Sequence, residues 1–171
     1  MIERCRFEAL AAHHDRRAFS CGVGELDRYF HQQVTQDIRR RVTSCFLAIA
    51  PDEVIAGYYT LASAAIAVTE LPPDLARRLP RYPTLPAVRI GRLAVDAKFR
   101  GQGLGRLLLW DAALRALRAE QANFTLLVDA KDDAAAGFYR HHGFVPFATA
   151  PRILFLPLAT AAKILDRSPR G

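Results

Sequence analysis

Cysteine is scarce and scattered in this chain. The three cysteines, Cys5, Cys21 and Cys45, are odd in number and widely separated. They form no Cys-x-x-Cys pair, which argues against a disulfide framework and a zinc site alike and leaves buried thiols as the expectation. No stretch reaches the ~20 apolar residues that a membrane span requires. The longest candidate, Val54 to Val68, is broken by Gly57, Tyr58, Tyr59, Thr60 and Ser63. A secretory leader is missing too: the first twenty residues hold Glu3, Arg4, Arg6, Glu8 and the run His13-His14-Asp15-Arg16-Arg17, so a cytoplasmic location is expected. Internal repeats, low-complexity tracts and an interdomain linker are absent. With 171 residues, 51% of them hydrophobic, the chain is expected to be one domain over residues 1–171 with a substantial core.

Lysine is nearly lacking. Only Lys98, Lys131 and Lys163 occur among 24 lysines and arginines, and the net charge is +7. A positive balance of this size points to an anionic partner, whether nucleic acid, an acidic protein or a phosphorylated cofactor. Arginine suits bidentate phosphate contacts and base stacking, although a general bias towards Arg gives the same count. Adjacent histidines at His13-His14 and His141-His142 lack the i, i+4 spacing of a helical metal pair, so no metal is expected and surface or cap roles suffice.

The chain reads as alternating elements. Cys5-Arg6-Phe7-Glu8, within Ile2 to Leu10, predicts a first strand. Leu26, Phe30, Val34 and Ile38 predict an amphipathic helix from Glu25 to Arg40. Its end carries Arg39, Arg40 and Arg41, which either favour the helix terminus electrostatically or contribute to a polyanion-binding face. Ser44 to Ala50 and Val54 to Thr60 predict a hairpin around Pro51-Asp52-Glu53, with Leu61 to Val68 continuing or bending its second strand. Pro72-Pro73-Asp74 opens a short helical or irregular excursion. It ends in the proline-rich loop Leu79 to Pro86, which with Arg77, Arg78 and Arg81 is either a substrate-facing flap or a solvated connection.

Ala87 to Val95 predicts a strand interrupted by Gly91, a sign of a bulge or a close ligand approach. Past Arg100-Gly101-Gln102-Gly103-Leu104-Gly105 a helix runs to Glu120, with Leu104, Leu107, Leu108, Leu114 and Leu117 as its apolar face. Phe124 to Val128 reads as a buried strand. Asp132 to His142 reads as a helix capped by Asp132 or Asp133 and closed by Gly143. Phe144 to Phe147 and Ile153 to Leu158 are further strands, and Thr160 to Leu165 a terminal helix before a basic tail.

Chemistry concentrates at the glycine run. Three glycines at alternate positions, where a strand hands over to a helix, let backbone N–H groups approach an anion closely. Neither the dinucleotide spacing G-x-G-x-x-G nor the P-loop spacing is present. The run does match Arg/Gln-x-x-Gly-x-Gly/Ala, and here the chain resembles the GNAT acetyltransferases. Ala135-Ala136-Gly137-Phe138-Tyr139-Arg140-His141-His142-Gly143-Phe144 resembles that superfamily's second signature, Ala-x-x-Phe-Tyr-x-x-x-Gly-Phe.

The resemblance implies an α/β (α+β) fold: a single domain with a mixed central sheet of six or seven strands, flanked by helices and bulged in a central strand. It implies acetyl-CoA as the donor, with Leu93, Ala94 and Val95 lining the thioester. Arg100, Gly101, Gln102, Gly103, Leu104, Gly105 and Arg106 would hold the pyrophosphate at the positive end of the helix. Tyr139 would be the catalytic residue, a phenol protonating the departing thiolate. Where the family often has Asn, seven residues before its tyrosine, this chain has Asp132, which leaves that side chain's contact to the cofactor open.

No Asp or Glu lies on Ala87 to Val95 to serve as base. An α-amine, with a reference pKa near ~8, needs less help than a lysine near ~10.4 to become a free nucleophile. The chain resembles more closely the tRNA-acetylating toxins of bacterial toxin–antitoxin pairs. The resemblance is carried by Phe19-Ser20-Cys21-Gly22, Leu26-Asp27-Arg28-Tyr29-Phe30, Ala56-Gly57-Tyr58-Tyr59-Thr60-Leu61, Ile90-Gly91-Arg92-Leu93-Ala94-Val95, Phe138-Tyr139 and Phe155-Leu156-Pro157-Leu158. It implies acetylation of the α-amine of aminoacyl-tRNA, a ribbon-helix-helix antitoxin and a homodimer. RNA phosphates would meet Arg39, Arg40, Arg41, Arg77, Arg78, Arg89 or Arg92. Two other readings remain open: acetylation of a small-molecule or protein amine, and a non-catalytic RNA- or protein-binding module that retains coenzyme A. Asp27 could support the site, or simply favour a helix start.

Overall fold

The computed structural model describes residues 4–167; the tail after Arg167 and the first residues of the Ile2 to Leu10 segment lie outside them. Seven strands form one mixed sheet in the order β1-β2-β3-β4-β5-β7-β6. They are β1 (Arg6–Ala9), β2 (Ser44–Ile49), β3 (Ile55–Ala67), β4 (Thr84–Val95), β5 (Thr125–Asp129), β6 (Val145–Pro146) and β7 (Ile153–Pro157). Pairing is antiparallel for β1–β2, β2–β3, β5–β7 and β6–β7, and parallel for β4–β5. Among the described residues six α-helices accompany the sheet: α1 (Gly24–Arg28), α2 (Val34–Arg39), α3 (Pro73–Ala76), α4 (Leu104–Arg118), α5 (Asp133–His141) and α6 (Leu158–Arg167). No helix among the described residues is long and apolar enough to cross a membrane.

The chain divides into two compact units, one running up to Ala62 together with Gly91–Ala112, the other Ser63–Ile90 together with the residues from Ala113 on. In the first, Phe30 stacks on Tyr58 with ring centroids 4.2 Å apart, and Phe19 meets both rings edge-on. Val34, Leu47, Ile49 and Ala94 join this core. In the second, Ile66, Leu85, Ala87, Leu127, Phe147 and Phe155 form the core.

Several expected boundaries move for identifiable reasons. The helix expected from Glu25 to Arg40 is interrupted by a π-helical segment, Tyr29–Gln33, which still leaves Phe30 and Val34 buried. β4 begins at Thr84, inside the expected proline-rich loop. The Pro86 carbonyl accepts from Phe124 N–H at 2.8 Å, and a proline can extend a strand through its acceptor while lacking only the donor. On α4 the buried residues are Leu104, Leu108, Leu109, Ala112, Ala113 and Ala116. Leu117, expected on that face, is exposed; towards this end of the helix the buried positions are taken by Ala112, Ala113 and Ala116. The strand expected over Phe144 to Phe147 shortens to Val145–Pro146, and the terminal helix lengthens to Leu158–Arg167. Cys21 and Cys45 are buried, whereas Cys5 is only half-buried.

Candidate functional site

In the first unit, β4 ends at Val95 and a short 3-10 turn, Ala97–Phe99, leads to the glycine run and α4. Asp96, buried, builds this junction: its carboxylate accepts from the backbone N–H of Ser20 at 3.0 Å and of Lys98 at 2.9 Å. Gly101 and Gly103 have φ of +74° and +82°. A Cβ added at either would meet nothing within 4 Å. These positions need glycine for backbone conformation and leave open space above the loop, as a cradle for an anion requires. Helix α4 starts immediately after, with the positive end of its dipole at Leu104.

Arg100 is exposed, and its guanidinium donates to the Cys21 carbonyl, close against Gly22, where φ is +84°. One of its five donors is therefore committed to the turn before α1, which fixes the side chain beside the loop. Gln102 and Arg106 are exposed, Leu104 is buried and Gly105 is half-buried.

Of the three residues expected along the thioester, Ala94 is 4% exposed and belongs to the core, and Leu93 and Val95 are half-buried. The Ala94 carbonyl faces Gly57, where an added Cβ would lie 2.9 Å from that oxygen. Gly91 does not meet an open space. Its added Cβ would lie 2.9 Å from Thr60 Oγ1, and the same oxygen accepts from Arg92 N–H at 3.0 Å. A side-chain hydroxyl thus takes a donor that a regular ladder would pair with a carbonyl. In the β2–β3 pair the register shifts between Ala48 and Ile49. Parallel pairing of β4 with β5 runs from Ala87 to Ile90.

In the second unit, Tyr139 lies on α5, whose start is capped by Asp132 accepting from Ala135 N–H at 2.8 Å. That bond gives the Asp132 carboxylate a structural task. At the other end Gly143 adopts φ +96°. Phe144 N–H bonds the Tyr139 carbonyl at 3.1 Å and Gly143 N–H the Arg140 carbonyl at 3.0 Å. This is a Schellman closure, in which the residue beyond the glycine packs back onto the helix. Phe144 does so against Tyr139 itself, with ring centroids 5.3 Å apart, while Phe138 approaches edge-on at 5.1 Å. The Phe-Tyr-x-x-x-Gly-Phe spacing therefore has a local physical meaning: it clamps the tyrosine ring. Tyr139 is 7% exposed, and burial pushes its phenol well above the ordinary value. The group stays protonated across the physiological range, as a proton donor must.

The candidate RNA-binding arginines are not alike. Arg39, Arg40 and Arg41 are exposed at the end of α2, and Arg41 sits at φ +60°. Arg77 is exposed and ion-paired with Asp74, whereas Arg78 is exposed. Arg89 lines a cavity of about 240 Å³ with Ile66, Leu127, Phe147 and Glu70. Arg92 is half-buried, and its guanidinium carbon lies over the Tyr29 ring, 3.4 Å from the centroid. The sequence reading named Tyr29 and Thr60 only among the residues that carry the resemblance and gave neither a role at the site, because Tyr29 falls outside the Leu26, Phe30, Val34 series and the bond of Thr60 to Arg92 is visible only in three dimensions. Asp27 accepts from Cys21 N–H at 2.9 Å and the Ser20 hydroxyl at 3.2 Å. Burial pushes its carboxyl up, but these bonds outweigh it and hold it below the usual range.

Residues 42–146, the span from the end of α2 to β6, match the acetyltransferase (GNAT) domain. The chain belongs to the GNAT acetyltransferase family. It is 33% identical over 153 residues to a tRNA-acetylating toxin of Mycobacterium tuberculosis, covering 88% of this chain and 90% of that protein. Among solved structures it is similar to AtaT complexed with acetyl-methionyl-tRNAfMet, with 26% identity, a TM-score of 0.80 and coverage of 94% and 99% of the two chains. AtaTR bound with AcCoA gives 25% identity, a TM-score of 0.78 and coverage of 95% and 99%. Within this GNAT chain the glycine cradle and Ala94 fall in one unit and the clamped Tyr139 in the other.

Proposed function

We propose that this acetyltransferase moves the acetyl group of acetyl-CoA to the α-amino group of aminoacyl-tRNA and acts as the translation-blocking toxin of a toxin–antitoxin pair. The observation that carries the reading is a relative, one third identical over nearly the whole chain, named a tRNA-acetylating toxin. The similarity to AtaT with an acetyl-methionyl-tRNA supports the same acceptor. The reading treats residues 1–171 as one GNAT domain, working in the cytoplasm. The reading also carries the expectation of a ribbon-helix-helix antitoxin and a homodimer as partners.

Bound coenzyme supplies an acetyl thioester. The glycine cradle has the conformation and open space that its pyrophosphate needs, so Arg100, Gly101, Gln102, Gly103, Leu104, Gly105 and Arg106 would hold it. Leu93, Ala94 and Val95 would run beside the pantetheine arm, a backbone N–H of this strand polarising the carbonyl. The α-amine attacks as the free base, which a reference pKa near ~8 makes abundant without a dedicated carboxylate. Asp96, the acidic residue that follows β4, is occupied by two backbone N–H groups. Tyr139, held protonated by burial, would give its proton to the leaving sulfur as the C–S bond breaks, and the proton shed by the attacking nitrogen on forming the amide would return to the tyrosinate through solvent. Phosphates of the tRNA would meet residues from the set Arg39, Arg40, Arg41, Arg77, Arg78, Arg89 or Arg92, so affinity falls with salt.

Labelled acetyl-CoA offered with charged tRNA, uncharged tRNA and free amines tests this reading, with wild type beside Tyr139→Phe. Label is expected on charged tRNA alone, and a loss of about 10²-fold or more in kcat is expected for Tyr139→Phe. Label confined to free amines refutes the acceptor. Equal labelling of charged tRNA by both proteins spares the function and removes Tyr139 as the acid.

A further inference from the structure

The π-helical segment Tyr29–Gln33 places its residues around a cavity of about 370 Å³ lined by Glu25, Arg28, Tyr29, Gln32, Gln33 and Arg92. The volume is within the range of small-ligand sites. Its lining is a set of planar and hydrogen-bonding groups rather than an apolar wall. Arg92 lies over Tyr29 at 3.4 Å from the ring centroid, and the Tyr29 hydroxyl donates to the Asp37 carboxylate at 2.8 Å. A phenol donating to a carboxylate has a more electron-rich ring, which strengthens its hold on the guanidinium. The guanidinium of Arg92 is thereby held against its neighbour. Its backbone is fixed as well, because Arg92 N–H is tied to Thr60 Oγ1 at 3.0 Å.

We propose that this cavity is a nucleobase subsite that takes the unstacked terminal adenine of the RNA acceptor end, with the Tyr29–Arg92 pair as its stacking platform. The inference rests on the reading that the acceptor is aminoacyl-tRNA. Single-stranded RNA is recognised by splaying bases onto aromatic rings or guanidinium planes and reading their edges by hydrogen bonds. With one face of its guanidinium covered by Tyr29, Arg92 offers the other to a base. Gln32 and Gln33 supply amides of the kind that pair with adenine N6 and N7, and Arg28 answers a neighbouring phosphate. Arg92 also directly precedes Leu93 on β4, one strand step of about 3.3 Å from the residues assigned to the thioester. In an aminoacyl-tRNA the nucleotide bonded to the reacting ester is the terminal adenosine, so the base nearest the chemistry is the one this cavity would receive.

The test is a binding cycle that needs no catalysis. A short single-stranded RNA ending in cytidine-cytidine-adenosine is compared with the same RNA lacking only its terminal base, by fluorescence anisotropy at fixed salt. Wild type, Arg92→Ala, Arg92→Lys and Tyr29→Phe are used, each checked for folding by thermal melting. Removing the base is expected to weaken wild-type binding about tenfold, in line with stacking on a single platform. It should cost Arg92→Ala and Arg92→Lys nothing further, because lysine keeps the charge and loses the plane. Tyr29→Phe, which keeps the ring, should retain the base dependence. An equal loss in wild type and both Arg92 variants, no loss in wild type, or no RNA binding at all overturns the proposal. Failure of the wild type to acetylate charged tRNA is a separate result, and it sinks the function without deciding the base–Arg92 coupling.

Discussion

Replacing Gly57 by alanine tests whether the seam between β3, β4 and α4 in the first unit is as tight as it looks. The new Cβ would lie 2.8 Å from Leu108 Cδ1 and 2.9 Å from the Ala94 carbonyl oxygen. Leu108 can turn away, but Ala94 O is backbone. Restoring ordinary contact at 3.4 Å demands a shift of 3.4 − 2.9 = 0.5 Å there. Overpacking of this kind costs roughly 1–3 kcal/mol. At 2–4 °C per kcal/mol for a chain of this length, a cost of about 2 kcal/mol lowers Tm by roughly 4–8 °C. Because the shifted peptide is in the segment assigned to the thioester, KM for acetyl-CoA should rise as well. Differential scanning calorimetry and acetyl-CoA saturation curves read the two effects. Gly103→Ala is the contrast, since its Cβ meets nothing and its cost is backbone strain alone. An unchanged Tm and KM in Gly57→Ala would refute the reasoning.

α2 ends in the same Schellman pattern as α5, with Arg41 N–H on the Ile38 carbonyl at 3.0 Å, but with a different residue in the left-handed position. α5 is followed by Gly143, whereas α2 is followed by Arg41, at φ +60°, with Val42 N–H on the Asp37 carbonyl at 3.1 Å. The left-handed conformation costs a non-glycine residue roughly 1–2 kcal/mol, and glycine's freer unfolded chain returns about 0.5–1 of it. Arg41→Gly should therefore raise stability by about 0.5–1 kcal/mol in urea titrations while weakening tRNA binding; a loss of stability would contradict the strain. Burial pushes the Cys45 thiol up to about 12, and Cys21 is also raised by burial. A maleimide at pH 8 should react first at half-buried Cys5 and at Cys45 only on unfolding, as peptide mapping would report. Asp27 has a folded pKa below its unfolded value of ~3.9, so its stabilisation is fully present above that pH and is lost as pH falls through the folded value. The stability gap between wild type and Asp27→Asn should therefore narrow on acidification below pH 4; a gap that stays constant as pH falls through this range would exclude this linkage.

Much of the frame is local and so was legible. Val-, Ile- and Leu-rich runs separated by proline and glycine foretold the strands, because β-propensity and turn chemistry act over a few residues. Asp132 and Gly143 marked the ends of α5 for the same reason. The glycine run and the Phe-Tyr-x-x-x-Gly-Phe spacing were readable because each is one continuous backbone device, a left-handed loop and a Schellman clamp. The arginines were not. Their number was plain, but composition could not separate Arg77, paired with Asp74, from Arg92, held over Tyr29.

What the sequence determined by itself is therefore the order of elements and the donor end of the chemistry, since both are written in short stretches with strict conformational demands. Only the tertiary structure decided that Gly91 answers Thr60, that the Asp96 carboxylate is spent on two N–H groups, and that a π-helical segment gathers Tyr29, Gln32 and Gln33 around Arg92. These contacts join residues up to 76 positions apart. Nothing local fixes such pairs, because they form only when burial of the core brings the strands and helices together.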